Sequence, residues 1–132
     1  MVEVVYCQQM YIAFLFVLVL KPFAADLSPK FDEYDARISI KQENERLDNY
    51  AFLIKATPGS RGLIAVYAEN ERAVASVKAR ARRAARYLVK TRHVNPVRVM
   101  WRYEAACKGN IIVLYLLDAD RADPPRDTKC YR

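Results

Sequence analysis

Basic residues crowd the stretch from Asn70 to Arg92, where Arg72, Lys78, Arg80, Arg82, Arg83, Arg86, Lys90 and Arg92 stand against one acid, Glu71. The 132-residue chain carries 22 Lys and Arg, 15 Asp and Glu and a net charge of +7, so this segment alone holds the whole excess. Guanidinium groups bind carboxylates and phosphates through paired N–H donors, and ammonium groups add point charges. Such a set can hold an acidic small molecule or an anionic polymer. It does not by itself make or break covalent bonds.

The remaining reactive side chains do not assemble a catalytic set. His93 is the single histidine, and its position just after the basic segment assigns it to a helix end. Glu33 and Asp35 flank Tyr34 in a polar stretch and read as solvated carboxylates. There is no GxSxG motif and no glycine-rich phosphate loop, so an enzyme is not expected. No CxxC or Cys/His spacing calls for a metal, and no cofactor is expected.

Positioning these charges requires a docked helix. Val74, Val77, Ala81, Ala84 and Leu88 recur at helical spacing as one apolar stripe, while Lys78, Arg82, Arg86 and Lys90 run four apart along another face. Asn70–Arg92 is therefore expected to be a helix with one side on a core and a basic face outward. A second helix is expected over Glu43–Lys55, from the stripe Leu47, Tyr50, Ala51 and Ile54, with Glu43 and Glu45 in the first turn where the helix dipole favours acids. Thr57-Pro58-Gly59-Ser60 ends it.

Strands are expected at Ala36–Ile40, Leu63–Tyr67, Val97–Tyr103 and Ile111–Leu117. The second is almost wholly apolar, as befits a central strand covered on both faces. In the third, Val97, Val99 and Trp101 share one face and Arg98 and Arg102 the other. The order strand-helix-strand-helix-strand-strand gives an α+β class, with two helices packed on one face of a mixed four-stranded sheet.

Tyr11–Leu20 is an uninterrupted apolar run followed by Lys21-Pro22 and the small residues Ala24-Ala25. It is shorter than the roughly 20 residues of a membrane span. Residues 1–25 are expected to be a cleaved export signal; an uncleaved short anchor and a buried first strand or helix are the alternatives. Behind a leader, Cys107 and Cys130 form an even pair. They are expected to join as a disulfide outside the reducing cytosol, against the alternative of two separate thiols. Residues 119–132, with Pro124-Pro125 and dense charge, are expected to be a loosely ordered tail.

The pattern Arg80-Ala81-Arg82-Arg83-Ala84-Ala85-Arg86-Tyr87-Leu88, together with Phe31–Tyr34, Arg46–Ala51 and Gly62–Tyr67, resembles the OmpA-like C-terminal domain over residues 31–118. The last three segments are also similar to a divergent branch of exported bacterial proteins with that fold. The resemblance implies a periplasmic, cell-envelope or secreted protein that binds peptidoglycan. The family holds the diaminopimelate of the stem peptide, its arginine on the ligand carboxylate and an aspartate on the ammonium. Arg80 stands at that arginine position. Where the family has a Gly-His-Thr-Asp-like turn and a later Asn, this chain has Tyr67-Ala68-Glu69-Asn70-Glu71, so Glu69 and Asn70 are the ligand-binding candidates beside Arg80.

Two functional expectations follow. One is a non-enzymatic envelope domain that binds peptidoglycan or another acidic polymer through Arg80, Glu69 and Asn70. The other is polyanion binding by the basic face, with nucleic acid or a phosphate polymer as ligand; nucleic acid is the less expected of these for an exported chain. Contact with a membrane is expected only through an uncleaved N-terminal segment. A third reading gives the basic helix a purely structural role.

Overall fold

The computed structural model describes residues 29–120 and Cys130. The segment 1–25 and most of the tail, to which a leader and a loose terminus were assigned above, lie outside the described residues.

The elements follow in the order β1 (Lys30–Asp35), α1 (Ile40–Ala56), β2 (Arg61–Ala68), α2 (Glu71–Arg86), β3 (Val99–Ala106) and β4 (Ile111–Leu117). A π-turn over Tyr87–Thr91 continues α2, and a 3₁₀ turn over Pro96–Arg98 leads into β3. The sheet is four-stranded in the order β1-β4-β2-β3. Strand β4 is antiparallel to both neighbours, and β2 and β3 are parallel. This is the expected α+β class and element order.

Both helices begin with side-chain caps. Ser39 and Gln42 form a reciprocal capping box at α1, Gln42 N donating to Ser39 Oγ at 3.1 Å and Ser39 N to Gln42 Oε1 at 3.2 Å. Asn70 Oδ1 accepts from Ala73 N at 3.1 Å and caps α2. Gly59 turns the chain out of α1 at φ 79°, a left-handed conformation that glycine adopts without strain.

Two expected strands are displaced. Ala36–Ile40 is not a strand: Ser39 caps α1, Ile40 is its first residue, and β1 lies earlier, over Lys30–Asp35. The alternation of Ile38 and Ile40 is too short to outweigh the capping box. Strand β1 reads as polar because it is an edge strand that buries one side chain, Tyr34. Strand β3 begins at Val99, two residues later than expected. Asn95 and Pro96 first build the 3₁₀ turn, with Val97 N donating to Asn95 Oδ1 at 3.0 Å, and Val97 is exposed there.

Alternate sheet residues separate two cores. Ile64, Val66, Ala68, Ile112 and Leu114 meet the predicted stripes of the helices: Leu47, Tyr50, Ala51 and Ile54 from α1, and Val77, Ala81, Ala84 and Leu88 beyond it. Leu63, Ala65, Tyr67, Val113, Tyr115 and Leu117 point the other way and form a second buried cluster. Helix α1 lies close on β2, because a Cβ at Gly62 would come within 2.7 Å of Tyr50 Oη and of Ile54 Cδ1. Tyr50 Oη donates to Tyr115 O at 2.5 Å, and burial pushes its phenol pKa well up.

Candidate functional site

The first turn of α1 and the middle of α2 meet over a buried carboxylate. Glu43 is fully buried. Arg80 Nε and Arg83 Nη2 pair with its Oε2, the latter at 3.2 Å, while Tyr34 Oη donates to its Oε1 at 3.0 Å. Arg80 Nη2 also donates to Ile38 O at 2.6 Å, and Arg83 Nη2 to Asn44 Oδ1 at 2.9 Å. Burial first, and then the Glu43 carboxylate beside it, push the Tyr34 phenol pKa well up. The cluster ties β1, α1 and α2 together by charge.

Arg80, the proposed ligand arginine, is thus turned inward on an acid of its own chain, and its side chain is 18% exposed. The other two ligand candidates do not converge on it through any contact. Asn70 spends its side chain on the α2 cap. Glu69 is exposed, and its backbone N–H donates to Asn110 Oδ1 at 2.8 Å.

A second staple uses Asp48 of α1. Tyr87 Oη donates to Asp48 Oδ1 at 2.6 Å, and Arg92 grips both carboxylate oxygens at 2.6 Å. Burial raises the Asp48 pKa, but the hydrogen bonds from Arg92 and Tyr87 outweigh it and leave the group below its ordinary value.

Three of the eight bases are paired in this way with two acids of α1, Arg80 and Arg83 sharing Glu43. The expected basic face is left on the opposite flank of α2. Lys78 Nζ lies 5.6 Å from the Tyr103 ring centroid, and the Arg82 guanidinium 5.4 Å from that of Trp101. Arg86 and Lys90 continue the row and are exposed. None of the four makes a salt bridge among the described residues. Aromatic faces attract cations through the ring quadrupole, so β3 holds two of the four heads in place without cancelling their charge. Strand β3 also forms one edge of the sheet.

Cys107 and Cys130 lie at disulfide distance with Cα atoms 4.6 Å apart, and both pack against the second core. His93, at φ 56°, closes the helical segment in the left-handed region. Glu33 is paired with Lys30, and Arg37 beside Asp35 holds its carboxyl down to about 2. Among the described residues no three His, Cys, Asp or Glu cluster in a way that could hold a metal, and no helix is long and apolar enough to cross a membrane. An open, polar groove of about 400 Å³ runs along Ile38, Gln42, Glu45, Arg46 and Asn49.

Spacing alone did not identify two of these contacts. Glu43 falls four before Leu47 on the buried stripe of α1, and that register was the available sign of its burial. Arg98 had no such sign: its guanidinium donates to Ile54 O, Thr57 O and Ser60 O at 2.5 to 2.8 Å, closing the C-terminal end of α1 from a distant turn. No protein-family model, curated protein or solved structure matches this chain.

Proposed function

We propose that this domain is a non-enzymatic binding module that takes an anionic polymer on the face formed by α2 and β3. The observation that carries the reading is the division of the basic helix. Arg80, Arg83 and Arg92 are consumed by Glu43 and Asp48, whereas Lys78, Arg82, Arg86 and Lys90 keep their charge toward solvent. A row of cations without acidic partners among the described residues fits the electrostatic footprint of phosphate recognition. Lys78 and Arg82 cover the rings of Tyr103 and Trp101, so these rings are not open platforms for stacking bases. The ligand feature read is then the phosphate charge and not the nucleobase. A compartment outside the reducing cytosol, in the envelope or beyond the cell, is part of the proposal; the Cys107–Cys130 pair supports it.

The test is binding of the full chain to oligo(dT) and to poly(glycerol phosphate) across a salt series. With about four phosphates neutralised, the slope of log K against log salt is about −3, a loss of roughly sixtyfold from 50 to 200 mM. Both polymers should bind alike, and the double substitution Arg82→Glu with Arg86→Glu should weaken both by more than tenfold. Salt-insensitive binding, or binding unchanged in the double variant, defeats the proposal.

The alternative is the OmpA-like reading, in which Arg80 is the pivot. Co-sedimentation with peptidoglycan separates the two. Pelleting lost in Arg80→Lys but kept in the Arg82/Arg86 double variant supports the wall-binding site; the reverse supports the α2–β3 face.

A further inference from the structure

The second face of the sheet is buried although both helices lie on the first. Leu63, Ala65, Tyr67, Val113, Tyr115 and Leu117 are between 0 and 3% exposed. Around them Met100, Ala105, Cys107, Ile111 and Cys130 are partly buried. A sheet with one naked face would leave every second side chain of β2 and β4 in water. No described helix or strand lies across this face.

Residues outside the described set are 1–28 and, near the other end, 121–129, 131 and 132. Segment 121–129 contains Arg121, Asp123, Arg126, Asp127 and Lys129 and offers little apolar surface. Tyr11–Leu20 offers ten apolar residues in a row. It also starts from the right place. Leu116 N donates to Pro29 O at 2.8 Å, so the chain enters the sheet beside Tyr115 and Leu117. The eight residues 21–28 can span up to about 26 Å, and three strands measure about 10 Å from the first axis to the third. The charged residues of β1 on this side, Lys30 and Glu33, pair with each other at the rim, which leaves the middle of the face to apolar contacts.

We propose that in the intact chain Tyr11–Leu20 docks on this second face, against Leu63, Ala65, Val113, Tyr115 and Leu117. The hydrophobic run is then the other half of the core. An apolar side chain there is replaced by a charge only at the expense of burying an unpaired carboxylate.

Photo-crosslinking of the full-length chain tests this, with benzoylphenylalanine at Phe16. Crosslinks within one chain to peptides containing Leu63–Tyr67 or Val113–Leu117 are expected. Crosslinks to a second copy or to lipid, or none to the protein, overturn the proposal. In parallel, Leu18→Asp should lower the unfolding midpoint by about 10 °C or more, or prevent folding. Phe52→Asp, at a position 75% exposed on α1, should move it by less than about 4 °C. Equal, small shifts in both variants also overturn it. These readings do not involve anion binding, so either proposal can fail alone.

Discussion

Glu43 shows how one buried charge constrains its neighbours. Its carboxylate is met by Arg80, Arg83 and Tyr34, and none of the three is more than a third exposed. A buried ion cluster is weak evidence of net stability, because desolvation offsets much of the attraction. Removing a single member is different, since it strands the others. Glu43→Ala should therefore lower unfolding stability by about 3–5 kcal/mol, read from urea denaturation. Arg86→Ala, at an exposed position, should stay within about 0.5 kcal/mol of the parent. If the two variants were alike, the cluster would not hold α1 to α2. The residue also explains a limit of sequence reading. Its place on the Leu47–Ile54 stripe was legible, but acids in a first helical turn are usually there for the dipole, and only packing separates the two roles.

Among the elements, α1 depends on a distant side chain for its end. The last carbonyls of a helix have no partners within it, and here Arg98 supplies donors to Ile54 O, Thr57 O and Ser60 O. Its reach from the 3₁₀ turn also fixes where β3 begins beside β2. Arg98→Ala should reduce stability by about 2–3 kcal/mol, since it leaves several shielded carbonyls without charge-assisted donors. Amide exchange at Ile54–Ser60 should rise more than at Ile40–Leu47. Uniform loosening of the helix would argue against a local cap. The helices themselves were readable from their stripes, and β4 from its apolar run. Strand β1 was not, because an edge strand with one buried side chain has almost the pattern of a polar loop. Strand β3 was displaced because Asn95-Pro96 formed a turn whose geometry depends on docking against α1.

For the whole molecule, a covalent tie beside the second core holds Cys130 to the turn before β4. The Cys107–Cys130 pair closes a loop with a sequence separation of 23. Chain-entropy arguments put its contribution at about 3 kcal/mol, through the unfolded state. Reduction, or Cys130→Ser, should lower the urea midpoint by a corresponding amount while the circular dichroism of the folded protein stays the same. A reduced protein of unchanged stability would show that the pair does not restrain the unfolded chain.

The class and order of elements, the apolar stripes of both helices, the two-sided burial of β2 and the +7 charge of one segment could be read from the sequence, because they depend on local periodicity or composition; the place of β1 could not. Which arginines remain charged toward solvent was decided by the tertiary structure. Arg83 and Glu43 are 40 residues apart, Arg92 and Asp48 are 44, and no spacing rule relates side chains across separate elements. Docking α1 beside α2 paired Arg80, Arg83 and Arg92 with Glu43 and Asp48, and docking β3 set Lys78 and Arg82 over aromatic rings. A uniform basic helix in the sequence thus became a helix with one flank paired to acids of α1 and one flank without acidic partners among the described residues.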